Sequence, residues 1–193
     1  MKKVAVTGGL SSGKSSVCCF LKKFGAYTVS ADEIVHELLI PQTHIGHQVL
    51  DLLGGEILKE GAFDRAKIAE IVFRQPEKLR ALEKILHPAV LDAIQAFYLL
   101  MKAQKERPLF VAEIPLLFES ESHSYFDTVV ALICDPLLAK KRFGQEGFEE
   151  RMAHQLPTTQ KAALADFTIT NNGTLADLEK KTRELYLVLC KLS

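Results

Sequence analysis

Tryptophan and long apolar runs are both absent from this chain of 193 residues. No apolar run approaches the roughly 20 residues of a membrane-spanning helix, so the sequence indicates no membrane partner. Neither sign of charge is in excess, because Lys plus Arg and Asp plus Glu each number 24. This balance argues against a nucleic-acid partner, and the 48% hydrophobic content excludes a disordered chain.

Cysteine is scarce and widely spaced. The four cysteines, Cys18, Cys19, Cys134 and Cys190, form no C-x-x-C pair. This pattern favours buried, reduced thiols over a disulfide framework or a zinc site. A strand is predicted from the third residue onward, so we expect no signal peptide and a cytoplasmic location. The length predicts one domain, which we expect to be a monomer or a weak homo-oligomer.

The most informative pattern that is present is the string GGLSSGKS at residues 8–15. It fits the phosphate-binding pattern G-x-x-x-x-G-K-[ST], in which glycines let successive backbone N–H groups turn inward around an anion. Lys14, which we expect to be exposed in the loop, supplies a charge for the outer phosphates. Ser15 supplies a hydroxyl for Mg²⁺. The loop therefore predicts binding of a nucleoside triphosphate.

Strand patterns alternate with helical patterns along the chain, as in a parallel sheet covered by helices on both faces. We therefore predict an α/β, P-loop NTPase fold, with three α/β/α layers and a five-stranded parallel sheet. The strand candidates are residues 3–7, 27–29, 109–112, 128–134 and 167–169. The last helix is predicted to begin at a capping box and to carry five leucines on one side, namely Leu175, Leu178, Leu185, Leu189 and Leu192.

Two stretches lie outside the predicted core, which comprises residues 1–33, 109–137 and 162–193. Residues 34–108 show helical periodicity and no convincing strand, and we predict a helical lobe that binds a second substrate. Plain structural padding is the alternative. Residues 138–161 are rich in cations and poor in aliphatic side chains, and we predict a short lid. A solvated helix face is the alternative for that segment.

Three acids follow predicted strands, where ligands bind in open α/β sheets. Asp32 follows the second strand and is a candidate base for an attacking hydroxyl, or else an ordinary charge at a helix N-terminus. Glu113 and Asp135 each end an apolar run and are candidates to support Mg²⁺. Only a strand beside the first strand can bring its acid to the metal, and we prefer Glu113. An ordinary cap is the alternative for that acid.

A phosphate loop alone leaves the reaction open. A guanine-nucleotide switch needs an N-K-x-D type motif to read the base, and residues 171–174, NNGT, do not fit it. A small-molecule kinase needs an acceptor site, a base for the acceptor hydroxyl and cations over the transferred phosphoryl group. All three have candidates here. A kinase for another nucleoside or nucleotide, and a nucleotide-binding protein without an acceptor, remain as alternatives.

Beyond the phosphate loop, an ordered set of short motifs covers nearly the whole chain. Its most specific part is His87-Pro88 followed by the segment PLLFE at residues 115–119. With this set the chain resembles the dephospho-CoA kinase family. The other matching pieces are Thr7 through Ser16, Ala31-Asp32, Phe63-Asp64-Arg65, Val72-Phe73, Leu82-Glu83, Arg142, Arg151 with Gln155, Ala165-Asp166 and Asn171-Asn172-Gly173.

The resemblance implies that ATP, with Mg²⁺, phosphorylates the ribose 3′-hydroxyl of dephospho-CoA, the last step of coenzyme A synthesis. These two small molecules would be the partners. It implies catalytic roles for Asp32, Lys14 and Arg142, and a metal site at Ser15 and Glu113. The ATP-binding residues that it implies are Gly9, Ser11, Ser12, Gly13, Lys14, Ser15, Ser16 and Asn172. The acceptor-binding residues that it implies are Arg65, His87, Pro88, Pro115, Leu116 and Leu117.

Two of the implied acceptor contacts have structural alternatives. His87-Pro88 fits a helix break, because the residue before a proline disfavours α-helical geometry. Arg65 fits an ion pair on a helix surface instead of a contact with acceptor phosphates.

The chain departs from the usual pattern of the family near the phosphates. Ser11 stands where the family usually has glycine, which puts a Cβ at a crowded point of the loop. Ser30 stands in place of an acid, which leaves Asp32 as the only acid directly after the second strand.

The predicted lid also carries fewer cations than the family pattern. An arginine expected near Glu146 is missing, and Ala162 stands where another arginine is often found. Fewer cations over the phosphates would lower the rate, unless Arg151 or Lys161 compensates.

Overall fold

The computed structural model describes residues 1–144 and 147–192. The chain divides into an inserted unit, Ala31–Phe97, and a core unit made of Met1–Ser30 with Tyr98–Ser193. The lobe predicted at residues 34–108 overlaps the inserted unit, with boundaries at different residues. Within the described part of the chain, no helix is long and apolar enough to cross a membrane.

The described residues form strands and helices that alternate through much of the chain. The strands are β1 (Lys2–Gly8), β2 (Tyr27–Ser30), β3 (Leu58–Lys59), β4 (Ala62–Phe63), β5 (Leu109–Glu113), β6 (Thr128–Ile133) and β7 (Phe167–Thr170). The helices are α1 (Lys14–Lys23), α2 (Ala31–Leu38), α3 (His44–Leu53), α4 (Arg65–Arg74), α5 (Pro76–Gln104), α6 (Pro136–Phe143), α7 (Phe148–Ala153), α8 (Thr158–Leu164) and α9 (Leu175–Lys191). Short 3₁₀ turns lie at Gly55–Ile57 and Ser122–Tyr125.

The core unit is built on a parallel sheet with the strand order β2-β5-β1-β6-β7. β1 is the central strand, and its residue Val4 lies opposite Val111 of β5 and Thr128 of β6. Parallel strands need crossover connections, which the helices between them supply. The predicted α/β fold and five-stranded parallel sheet are therefore confirmed.

Helices cover both faces of this sheet. On one face, Val4 and Val6 belong to a buried apolar cluster with Val17 of α1 and Leu189 of α9. On the other face, the ring of Phe110 meets Tyr98 of α5 edge-on, with ring centroids 5.6 Å apart. Because both faces are covered, the central strands are continuous apolar runs and do not alternate with polar residues.

α9 begins where the sequence predicts. The Thr174 hydroxyl accepts a hydrogen bond from the Asp177 N–H, and the Thr174 N–H donates to the Asp177 carboxylate, which completes the capping box. Leu178, Leu185 and Leu189 are buried, as expected. The other two leucines of that side stand at the two ends of the helix. Their side chains, Leu175 and Leu192, are exposed.

The inserted unit contains α2, α3, α4, most of α5 and a small antiparallel hairpin of β3 and β4. This hairpin was not predicted, because each strand has only two residues. Glu60 and Gly61 form its turn with φ values of 52° and 81°. α5 runs unbroken through Pro88, so a helix break at His87-Pro88 is wrong.

The predicted lid, residues 138–161, contains most of α6, all of α7 and the start of α8. Gln145 and Glu146 within this range lie outside the described residues. α6 begins after Asp135, whose carboxylate accepts hydrogen bonds from the N–H groups of Leu137 and Leu138.

Removing the cap of α9 tests how far this helix depends on it. We expect Thr174→Ala to lower the free energy of unfolding by about 1 kcal/mol in urea titrations. Hydrogen bonds from Thr174 lower the pKa of Asp177. A folded-state pKa below the unfolded one stabilises the fold at neutral pH, and the gain is lost below about pH 4. The loss of unfolding free energy in Thr174→Ala should therefore be smaller in acid than at neutral pH.

The exposed residue Glu184 of α9 offers a control. Glu184→Ala should change the free energy of unfolding by less than about 0.5 kcal/mol. Equal effects of the two substitutions would contradict a specific role for the capping box.

Candidate active site

The phosphate loop connects β1 to α1, and its backbone demands glycine at both ends. Gly8 and Gly13 have φ values of 147° and 101°, in a region that favours glycine. A Cβ at Gly8 would collide with the Leu132 carbonyl oxygen, and one at Gly13 would lie 2.5 Å from Nδ2 of Asn171. The loop can therefore pack against β6 and the end of β7 only with glycine at these positions.

α1 begins at the edge of a cavity. Gly13 is the N-cap residue, and among the described residues no side chain caps this end of α1. A cavity of about 520 Å³ opens here, lined by residues of the loop, of α1 and of the segment before α9. Unsatisfied N–H groups and the positive end of a helix together favour an anion. The residues that line this cavity, which we call the phosphate cavity, include Ser11, Gly13, Lys14, Ser15, Ser16, Arg142, Asn171 and Gly173.

Lys14 lies against the loop and is not extended into solvent. Its ammonium donates hydrogen bonds to the carbonyl oxygens of Gly9 at 2.9 Å and Gly8 at 3.3 Å. Only 8% of the residue is exposed, so the expectation that Lys14 is exposed is wrong. The physical reason is that the curled loop offers carbonyl oxygens that satisfy a buried ammonium. The side chain nevertheless lines the cavity.

Ser11 adopts a backbone conformation that favours glycine. Its φ is 53°, in the left-handed region that non-glycine residues rarely occupy. A side chain in this region carries local strain. It also lines the cavity.

A serine hydroxyl and a carboxylate meet at the edge of this cavity. The Ser15 hydroxyl donates a hydrogen bond to Oε1 of Glu113 at 2.8 Å. Both β5 and β6 flank β1, so strand adjacency alone does not decide between Glu113 and Asp135. Their partners do distinguish them, because Asp135 caps α6 and Glu113 contacts the loop serine.

Cys18, one turn along α1 from Ser15, supports the same carboxylate. Burial, followed by the charge of Glu113 and a hydrogen bond to it, raises the pKa of the Cys18 thiol well above its usual range. The thiol therefore stays protonated at neutral pH and can donate to Glu113. The sequence analysis did not identify this contact, which joins residues far apart in the chain.

Arg142 and Asn171 form the side of the cavity away from Glu113. Nη1 of Arg142 donates to the Asn171 carbonyl oxygen at 3.1 Å, and the Asn171 side chain donates to the Ser12 carbonyl oxygen at 2.8 Å. Asn172 instead accepts a hydrogen bond from the Asp135 N–H. Asn171 thus lines the cavity, and the sequence analysis had singled out its neighbour Asn172.

Two other cations of the predicted lid, Lys161 and Arg151, have partners elsewhere. Lys161 is fully buried in an ion pair with Glu119, so it does not line the phosphate cavity. The Arg151 guanidinium lies over the ring of Phe143, 5.3 Å from its centroid. Arg142 is therefore the cation of residues 138–144 and 147–161 that reaches the cavity.

Ser12 and Gly9 are not among the residues that line the phosphate cavity. Both line a second, mainly apolar cavity of about 240 Å³, together with Phe148 and Met152 of α7. The Ser12 hydroxyl is buried and has no hydrogen-bond partner within the described residues.

The acceptor-binding candidates fall in both units of the chain. In the core unit, Pro115 and Leu116 are half-buried, and Leu117 is fully buried. In the inserted unit, Arg65 is exposed at the start of α4, next to the N-cap residue Asp64. His87 and Pro88 lie within α5.

Asp32, the candidate base, also belongs to the inserted unit. It is an exposed residue in the first turn of α2, two residues after β2 ends. An exposed carboxylate just beyond a parallel strand can accept a proton.

Comparisons with known proteins show that the chain is similar to kinases. A family model described as dephospho-CoA kinase matches residues 2–177. A relative named dephospho-CoA kinase, from Protochlamydia amoebophila (strain UWE25), is 47% identical over 193 residues, which cover 96% of this chain and 95% of the relative. Dephospho-CoA kinase from Campylobacter jejuni has a solved structure that is 25% identical, with a TM-score of 0.74 over 98% of this chain and 97% of that chain.

The likeness extends to a more distant kinase. A structure of shikimate kinase from Acinetobacter baumannii is 17% identical, with a TM-score of 0.56 over 97% of this chain and 94% of that chain. At this identity the likeness concerns the fold alone.

The left-handed backbone at Ser11 leads to a test. Ser11→Gly removes the strained Cβ, so we expect the free energy of unfolding to stay constant or rise by up to about 1 kcal/mol. Thermal or urea unfolding measures this. Ser16→Gly, the same change inside α1, should instead lower it by about 0.5–1 kcal/mol. An equal decrease in the free energy of unfolding in both variants would show that Ser11 is not strained.

Proposed function

Because the chain belongs to the dephospho-CoA kinase family, we propose that it transfers the γ-phosphoryl group of ATP to the ribose 3′-hydroxyl of dephospho-CoA. The products are coenzyme A and ADP, and the reaction is the last step of coenzyme A synthesis. The resemblance noted in the sequence is confirmed at the level of the family. The observation that carries the proposal is the hydrogen bond between Ser15, next to the phosphate loop, and Glu113. It occurs in a chain that matches this family over residues 2–177.

Mg²⁺ fits the oxygen atoms at this edge of the cavity. The Ser15 hydroxyl and the Glu113 carboxylate are hard oxygen ligands 2.8 Å apart. The described residues hold no group of three or more acidic, histidine or cysteine side chains suited to a metal. Mg²⁺ commonly takes one or two protein ligands together with phosphate oxygens and water. When bound, it neutralises charge on the phosphates of ATP.

Asp32 is the proposed general base. Its carboxylate takes the proton from the acceptor hydroxyl as the oxygen attacks the γ-phosphorus. The position directly after β2 and the exposure of the side chain support this role.

Lys14 and Arg142 supply the positive charges for the transferred group. In this proposal the Lys14 ammonium exchanges the carbonyl oxygens of Gly8 and Gly9 for phosphate oxygens. The Arg142 guanidinium, which already lines the cavity, contacts the phosphates from the other side. Fixed cations at these places stabilise the charge that develops in phosphoryl transfer.

Contacts with the acceptor are proposed for individual residues. Leu117 can take part only through its backbone, because its side chain is fully buried. The partners in this proposal are the two small-molecule substrates. All four cysteines are free, which supports a cytoplasmic location. The proposed acceptor-binding residues are Arg65, His87, Pro88, Pro115, Leu116 and Leu117.

A panel of acceptors tests the proposed function. We expect kcat/KM to be highest for dephospho-CoA when ADP formation is followed with dephospho-CoA, adenosine, AMP, CMP and uridine. Product analysis should place the new phosphate on the 3′-oxygen. A preference for another acceptor would overturn the assignment. Slow ADP formation that no acceptor stimulates would point to a nucleotide-binding protein instead.

The role of Asp32 has its own test. Asp32→Asn should lower kcat by roughly 10²–10⁴, because the acceptor proton loses its base, and should leave the KM for ATP nearly unchanged. Asp51→Asn, at an exposed position of α3 in the same unit, serves as the control and should keep wild-type kcat. An unchanged kcat in Asp32→Asn would reduce Asp32 to a charge at the start of α2.

A further inference from the structure

Lys161 is a fully buried lysine whose ammonium holds both ends of one short segment. Its Nζ donates to the Pro115 carbonyl oxygen at 2.8 Å and to Oε1 of Glu119 at 2.8 Å. A buried ammonium is costly unless it is paired and hydrogen-bonded, and here it is both. We call residues 115–119 the clamped segment.

Other bonds fix the same segment from neighbouring elements. The Thr7 hydroxyl, at the end of β1, also donates to the Pro115 carbonyl oxygen, at 3.2 Å. The Leu156 N–H donates to Oε1 of Glu119 at 2.8 Å. Together with the hydrogen bonds of Lys161, which belongs to α8, these contacts hold the residues that follow β5.

The side chains of the clamped segment divide into two groups. Leu117 and Phe118 are buried and anchor the segment in the core unit. Pro115 and Leu116 remain half-exposed, so they can present apolar surface to a ligand. Their positions depend on the backbone that the Lys161 ammonium holds.

The cluster is poorly suited to provide stability alone. Oε2 of Glu119 is buried without a hydrogen-bond partner in the described part of the chain. A polar cluster that leaves acceptors unsatisfied stabilises a fold less than apolar packing of the same volume. The main consequence of this polar cluster is that it fixes the position of the clamped segment.

We propose that Lys161 is a positioning residue for the acceptor: by binding Pro115 and Glu119 it sets the clamped segment in the place where Pro115 and Leu116 contact the acceptor. This inference rests on the proposed function, which assigns those two residues to acceptor binding. It gives Lys161 a role distinct from that of a lid cation over the phosphates. An ammonium suits this role, since it is a compact group that donates in several directions.

Lys161→Met keeps the length of the side chain and removes its charge. We expect the KM for the acceptor to rise about tenfold or more, because small displacements of positioning residues have large effects. The KM for ATP should stay within about twofold of the wild type, and kcat should fall less than the acceptor KM rises. Lys191→Met, at an exposed position of α9, is the control and should leave all three values unchanged.

A double variant separates positioning from folding. Lys161→Met is expected to lower the melting temperature, because Glu119 loses its cationic partner. Lys161→Met/Glu119→Gln removes both charges and should recover the melting temperature, yet keep the raised acceptor KM. Recovery of the acceptor KM together with the melting temperature would overturn the proposal. An equal rise in the KM for ATP would overturn it as well.

The measurement stays informative if the proposed function fails. The KM values are compared for whichever acceptor the wild-type protein prefers in the acceptor panel. A wild-type preference for an acceptor other than dephospho-CoA therefore contradicts the proposed function without deciding the role of Lys161.

Discussion

The parallel pairing of β1 with β5 and β6 is the constraint on which the site depends. It aligns three chain segments so that their carboxyl ends meet at one edge of the sheet. The phosphate loop follows β1, Glu113 ends β5, and Asp135 comes shortly after β6. Because the strands are buried on both faces, a shift in register would displace apolar side chains and is strongly opposed. The 2.8 Å contact between Ser15 and Glu113 is therefore a product of strand register as much as of local sequence.

Features that depend on local sequence were predicted well. The GGLSSGKS string predicted a loop between a strand and a helix, and the structure has β1, the loop and α1 in those places. The capping box of α9 has its mechanism within four residues and was also confirmed. The three central strands of the sheet, β1, β5 and β6, were found because buried parallel strands are continuous apolar runs. The hairpin of β3 and β4 escaped detection because two-residue strands show no periodicity.

Features that depend on contacts between distant residues could not be predicted. The helical spacing of α1 does not indicate which strand residue its thiol contacts. The contact of Cys18 with Glu113 is therefore visible only in the structure. A lysine in a charged stretch is usually exposed, yet Lys161 is fully buried against a residue 42 positions earlier in the chain, Glu119. Lys14 was expected to be exposed in the loop, but the curled backbone supplies acceptors for its ammonium.

The two units also differ in how their chain segments are joined. The inserted unit is one uninterrupted stretch, with its own buried cluster that includes Val49, Ile57 and Leu82. The core unit is assembled from two stretches, and its sheet must pair Lys2 of β1 with Leu109 of β5. Contacts between residues far apart in the chain form slowly, since a long loop must close before any pairing is gained. We infer that the inserted unit gains its contacts early in folding and that closure of the central sheet, with the phosphate loop at its edge, is the slow event.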